Sequence, residues 1–352
     1  MTVAEWPFES WPSESSYRRE DFGGGSVCSR FVNLGLRATV RPVIDVWAQY
    51  PALPWPYFAV DYAGWLVRPS IGTRINRVQL PRAKGLWIDR SNHDGAGVIL
   101  YLHGGAFMTC RSRIHRRLIA QVSGAAAAPA LAVDYRMMPK HSTRDAIDDC
   151  VDGYRWLLDQ GYSGRQIVLA GDSAGGYLVF AVASRLAELG WPGPAGIVAM
   201  SPLTDTDPAR KLGHTNAGTC SVFPRSALLA FRDFADAVDR RLVPEQPGRV
   251  WFSPVDADLS MMPPTLIQAS STEILYPDAV LMAQRLAEAC ARCVLQVWDG
   301  QPHVFQAGAG VIPEADRAIA QIGAFIRQEL PGIRAVPPRP HKPLLRTAWT
   351  SI

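Results

Sequence analysis

The sequence predicts an α/β fold, a mostly parallel central sheet flanked by helices, with a helical cap. Three observations carry that expectation. From about Gly97 onward, short apolar runs alternate with longer helical patterns, the signature of a sheet covered on both faces. Two of those runs end directly in glycine-containing turns, HGGAF at residues 103–107 and GDSAG at 171–175, and open sheets of this kind carry their reactive loops at such strand ends. Two further segments, residues 1–90 and 204–250, break the alternation and read as additions to the sheet.

In chain order, the first ninety residues are rich in Trp, Tyr, Phe and Pro, with an amphipathic helical pattern over 29–50 and an aromatic patch at 51–65. Strand patterns follow at 98–102, 130–134, 167–170, 197–200, 265–269 and 294–298, each a short and mostly apolar run. Helical patterns lie between them at 116–123, 145–159, 174–189 and 278–289, and two more gather around 225–241. The expected organisation is an N-terminal segment (1–90) contributing to a cap, a catalytic domain (91–203 and 251–330), a cap insertion (204–250) and a basic, Pro-rich tail (331–352) of disordered character. There is no internal repeat.

A chain of 352 residues, 48% hydrophobic and 19% charged, is long enough and apolar enough for a large core. Its formal charge of +4 resides in the tail, which holds Arg334, Arg339, Lys342 and Arg346 and no acid; the rest carries 32 basic and 32 acidic side chains. Nucleic-acid binding needs basic residues gathered on a folded face, so that partner class is discounted. The N-terminus lacks the basic start and apolar run of a signal peptide, and no window has the eighteen or so apolar residues of a membrane span, so a cytoplasmic protein is expected. Six scattered cysteines suggest no disulfide framework, and Cys290 and Cys293, though spaced as CxxC, follow a helix and precede a strand, the reverse of the thioredoxin order.

The chemistry begins at Ser173. GDSAG lies between a strand and a helix, and a sharp turn there presents the serine above the sheet. Small flanking residues let strained backbones approach, and the positive end of the following helix favours the anion that forms in acyl transfer. A Gly-rich turn with an incidental serine is the bland alternative for the pentapeptide alone. HGGAF supplies the complement: consecutive glycines leave amides uncovered, and preorganised donors facing a developing oxyanion are worth roughly a hundredfold each. The amides of Gly104, Gly105 and Ala174 are assigned to that oxyanion hole, with His103 a structural hydrogen-bonding residue. Of seven histidines (93, 103, 115, 141, 214, 303 and 341), the chain order serine, acid, histidine leaves three, and His303, on the loop after the last strand pattern, is the choice for the base. The acid that orients it is Glu273 or Asp278; Glu273 is favoured, because Asp278 sits where a carboxylate serves the start of a helix.

With these residues in place, the chain resembles the hormone-sensitive-lipase-like esterases, the bacterial family IV or GDXG group of the α/β-hydrolase fold. The resemblance spans roughly residues 97–328 and rests on HGGAF and GDSAGG, with echoes in VDYRMMP (133–139), SPL (201–203), PPTLI (263–267) and GQPHVF (300–305). Where the family commonly has YRLAPE this chain has YRMMPK, and Glu273 stands where an aspartate is usual. The resemblance implies a cap built from the N-terminal segment and an insertion, and hydrolysis of short to medium acyl esters, a small-molecule substrate, without metal or organic cofactor. Amide, thioester or carbamate hydrolysis on the same triad remains an alternative, as does a non-catalytic receptor on this fold, although the receptors of the group have lost the histidine that this chain keeps at 303. Weak association with a membrane surface through the aromatic N-terminus or the basic tail, and a homodimer, also remain open.

Overall fold

The computed structural model of the chain describes residues 17–64, 67–90, 97–243 and 252–330, so the aromatic residues 1–16 and the tail at 331–352 lie outside the described residues. Five elements come first: β1 (Arg18–Phe22), α1 (Val27–Gln49), α2 (Tyr57–Ala63), β2 (Arg74–Gln79) and β3 (Lys84–Asp89). The alternating body follows as β4 (Val98–Leu102), α3 (Ser112–Ala126), β5 (Ala130–Asp134), α4 (Thr143–Asp159), β6 (Ile167–Asp172), α5 (Ala174–Glu188) and β7 (Gly196–Met200). After it come α6 (Ala209–Gly213), α7 (Asn216–Thr219) and α8 (Arg225–Leu242), then β8 (Thr265–Ser270), α9 (Tyr276–Glu288), β9 (Cys293–Trp298) and α10 (Pro313–Glu329).

Among the described residues the strands form one nine-stranded sheet in the order β1-β9-β8-β7-β6-β4-β5-β3-β2. Only the pairs β2–β3 and β3–β5 are antiparallel. Strand side chains alternate between faces, and each face is buried: Val98, Leu100 and Leu102 of β4 enter one core cluster, Ile99 and Tyr101 the other. That double burial is why the central strands read as unbroken apolar runs.

The sheet begins well before residue 91, where the expected catalytic domain started: β1, β2 and β3 all come from the first ninety residues. β1 and β2 are the edge strands and are polar for that reason, while β3 lies between β2 and β5. In β2 only Val78 is buried, and β1 is the charged run RREDF, so apolar periodicity is faint where one side of the sheet meets solvent. Helix α4 starts two residues earlier than its apolar pattern because Ser142 and Asp145 form a reciprocal capping box, worth about 1 kcal/mol. The two helical patterns expected near 225–241 are one continuous helix, α8.

Helix α1 links the N-terminal segment to two other regions. At its start, Ser26 donates from N and Oγ to Glu314 at 3.0 and 2.9 Å, Ser29 Oγ donates to Gln301 at 2.8 Å, and Asn33 donates to the Gly300 carbonyl at 3.0 Å. Farther along, Trp47 meets Phe234 of α8 edge to face at 6.0 Å and Asp45 accepts from Ser226 at 2.6 Å. No helix among the described residues is long and apolar enough to cross a membrane.

The loop after β7 is fastened by a buried ion pair. Lys211 Nζ lies 3.0 Å from Asp278 Oδ1, with the two side chains 2% and 0% exposed. The same carboxylate accepts the amides of Thr204 and Asp205, each at 3.0 Å, and burial still pushes its pKa up against the pull of Lys211. Removing one partner of such a pair strands a buried charge. Lys211→Met is therefore expected to cost about 3–5 kcal/mol in urea denaturation, and a loss no larger than a typical surface substitution would contradict this account.

Candidate active site

The site is built from the loops that follow β4, β6, β7, β8 and β9. Ser173 stands between β6 and α5 with φ 54° and ψ −115°, a conformation in the region that disfavours side chains. Two hydrogen bonds fasten it to the loop after β7: its N–H donates to the Met200 carbonyl at 2.9 Å, and its carbonyl accepts from the Leu203 amide at 3.1 Å. A Cβ at Gly175 would fall 1.9 Å from the Leu102 carbonyl, so the turn closes against β4 only with glycine there. Ser173 itself is buried but not sealed off, at 9% exposed. Ala174, the first residue of α5, carries one of the unpaired amides of a helix N-terminus.

Glu273 and His303 come together. Glu273 is buried behind the turn that follows β8; its Oε1 accepts the Ser270 amide at 2.7 Å and its Oε2 lies 2.5 Å from His303 Nδ1. The opposite ring nitrogen, His303 Nε2, is buried without a hydrogen-bond partner. The ring also meets the edge of Phe223, with centroids 5.1 Å apart. The next amide, Val304 N–H, donates to Ser201 Oγ at 3.1 Å, and residue 201 directly follows the Met200 that holds Ser173. Asp278 takes no part in this group: its oxygens are occupied by Lys211 and by the amides of Thr204 and Asp205.

The HGGAF loop corrects the expected set of amides. Gly104 N–H, expected among the uncovered donors, points instead at Asp172 Oδ1, 3.2 Å away. The next two residues carry amides that the loop's own bonds leave unused, since those bonds run from Met108 and Thr109 to the Gly105 carbonyl. Gly105 and Ala106 have φ of 110° and 52°, which turns these amides out of line with the strand they follow. The available set is therefore Gly105, Ala106 and Ala174. The signal in the sequence was the aspartate of GDSAG, a carboxylate one residue before the serine that needs donors of its own.

That carboxylate also gathers residues to which the sequence reading gave no role in the site. Tyr101 Oη donates to Asp172 Oδ1 at 2.7 Å, and His115 Nε2 lies 3.1 Å from Oδ2. Burial opposes charge on Asp172, yet the His115 imidazole and the hydrogen bonds from His115 and Tyr101 outweigh it, so its pKa falls below the ordinary value. The same contest raises the pKa of His115: burial works against it, and the attraction and hydrogen bond of Asp172 prevail. His103 goes the other way. Burial, and then the proximity of His115, lower its pKa to about 4; its ring stacks on Tyr135 at 4.2 Å, and its Nδ1 lies 2.7 Å from the Gly104 carbonyl. Among the described residues no three His, Cys, Asp or Glu side chains are gathered as a metal-binding group.

Comparison with known proteins identifies the family. A family model described as alpha/beta hydrolase fold matches residues 99–307. The carboxylesterase/phospholipase LipF of Mycobacterium tuberculosis strain H37Rv is 42% identical over 308 residues, covering 86% of this chain and 82% of its own. The esterase LipU of the same organism is 44% identical over 294 residues, 82% of this chain and 98% of its own. In three dimensions, the crystal structure of an esterase from the bacterial hormone-sensitive lipase family superposes with a TM-score of 0.75 at 29% identity, over 88% of this chain and all of the other. The chain belongs to the hormone-sensitive-lipase-like family of carboxylic ester hydrolases, on the α/β-hydrolase fold.

Proposed function

We propose that this chain is a serine carboxylesterase that hydrolyses short to medium acyl esters through an acyl-enzyme, with Ser173 as nucleophile, His303 as general base and Glu273 as the acid that orients it. One observation carries the assignment: His303 is held by Glu273 through Nδ1 at 2.5 Å while its buried Nε2 has no partner, on a loop tied through Ser201 to the turn that presents Ser173. A ring fixed through one nitrogen and open at the other is the arrangement a serine hydroxyl requires.

This geometry supports the following steps. Ser173 Oγ attacks the ester carbonyl as His303 Nε2 takes its proton, and Glu273 stabilises the imidazolium without accepting that proton. The carbonyl electrons move onto oxygen, and the amides of Gly105, Ala106 and Ala174 donate hydrogen bonds to the oxyanion so formed; the unpaired helix end at Ala174 adds the favourable end of the α5 dipole. Collapse breaks the carbon–oxygen bond of the ester, the alcohol leaves with the proton from His303, and an acyl-serine remains. Water, deprotonated by His303, repeats the attack, and the acid leaves as Ser173 regains its proton. The loop's own Phe107 packs in an aromatic core, 5.5 Å from Tyr177 and 6.5 Å from Phe231 of α8, which makes the surroundings of the site apolar.

A panel of p-nitrophenyl esters of increasing chain length, run beside the matching anilide and thioester, tests both the reaction and its class. The expected result is ester turnover that peaks at short to medium chains and falls by about 10⁴-fold or more in Ser173→Ala; equal rates in the two proteins would refute the mechanism. In a separate comparison, Glu273→Gln is expected to reduce kcat by roughly 10³–10⁴-fold, while Asp278→Asn costs stability rather than turnover. The reverse order would move the acid to Asp278.

A further inference from the structure

Asp172 joins the two halves of the site covalently and non-covalently. It directly precedes Ser173, and its carboxylate, on a residue 2% exposed, accepts from Gly104 N–H at 3.2 Å and from Tyr101 Oη at 2.7 Å, with His115 Nε2 at 3.1 Å. A Cβ at Gly104 would stand 2.3 Å from Asp172 Oδ2, so glycine is what allows the loop to close on the carboxylate. The side chain thereby sets the position of the Gly105 and Ala106 amides relative to the serine beside it.

The arrangement has an electrostatic cost that needs an answer. A buried anion is bonded to Gly104 and adjoins Ser173 in sequence, next to amides whose task is to stabilise a second negative charge, and in a poorly screened interior two such charges repel. Tyr101, Gly104 and His115 contact Asp172; more distant are His103, whose ring lies 5.7 Å from that of His115, and Cys110 and Tyr135, both held neutral by burial. Of these, Tyr101 is neutral and His103, with its pKa near 4, is uncharged at neutral pH. His115 is the one group of the set suited to supply a positive charge.

We propose that Asp172 and His115 form a positioning pair for ester hydrolysis: the carboxylate clamps the HGGAF loop to the nucleophile's turn, and the imidazolium cancels the carboxylate's charge so that the amides meet the oxyanion unopposed. The pair rests on the ester-hydrolysis reading and refines it. Neither residue touches substrate. Its signature is selective: losing the cation harms the transition state because the anion remains, so removing the anion's charge as well repairs the damage.

Hydrolysis of p-nitrophenyl butyrate by wild type, Ser173→Ala, His115→Gln, His115→Gln/Asp172→Asn and Asp172→Ala tests this, with the inhibition constant of a trifluoromethyl ketone as a measure of oxyanion binding and thermal melting to establish folding. Asparagine keeps an oxygen for Gly104 N–H and Tyr101 Oη but carries no charge. His115→Gln is expected to lower kcat about 10–100-fold at nearly constant KM and to weaken the ketone in proportion. The double variant is expected to recover most of that loss. Asp172→Ala, which removes the clamp itself, is expected to lose about 10²–10³-fold in kcat. A His115→Gln protein as fast as wild type, or a folded double variant no faster than His115→Gln, overturns the pair. Ser173→Ala separates the two levels: if it retains activity, the underlying reading falls and the pair with it, whereas an inactive Ser173→Ala beside an unaffected His115→Gln removes the pair alone.

Discussion

The site depends on one backbone constraint: a serine held with positive φ at the junction of a buried strand and a buried helix. Such a conformation costs of order 1–3 kcal/mol and persists only where its surroundings over-determine it. Here they do. β6 is fully buried, most of α5 is buried, and the turn between them is bonded on both sides to the loop after β7. The strain is also concentrated. Of eight described non-glycine residues with positive φ, six (Ala106, Phe107, Cys110, Ser173, Ser201 and Val304) lie on loops after β4, β6, β7 and β9. The rigid sheet carries the cost, and the loops at its carboxyl edge use it to aim their side chains and amides.

From that constraint the rest of the site is arranged by short connections. Ser201 couples the turn to His303 through Val304, and Glu273 couples His303 to the end of β8. On the outside, α1 is bonded to Gly300, Gln301 and Glu314 around the histidine's loop, while its far half packs on α8. One helix thus contacts both α8 and the segment that carries His303. The Lys211–Asp278 pair fastens the loop after β7 from below, which assigns to Asp278 a holding role and leaves Glu273 beside the imidazole.

Much of this was legible in the sequence, and the reasons are physical. The central strands read clearly because both of their faces are buried, so a continuous apolar run was the only pattern available to them. The strand-to-helix turn that carries Ser173 was legible from its glycines, and the pairing of Glu273 with His303 from their places after the last two strands; their proposed roles rest on those positions. The edge strands were not: β1 and β2 expose too many side chains for periodicity to mark them. The choice between Gly104 and Ala106 could not be read from HGGAF alone, since it turns on a contact 68 residues away in sequence, between the Gly104 amide and Asp172. His115 stayed hidden for the same reason; on its own helix it is one polar residue among arginines, and only the fold brings it to the carboxylate.

The account stands or falls on whether Ser173 forms its bond to an acyl-like centre with the new oxygen facing the proposed amides. A crystal structure of the protein after reaction with diethyl p-nitrophenyl phosphate tests this directly. The prediction is continuous density from Ser173 Oγ to phosphorus, with one phosphoryl oxygen about 2.7–3.1 Å from the amide nitrogens of Gly105, Ala106 and Ala174. An unmodified Ser173, or an adduct whose oxygen turns away from those amides, would contradict it.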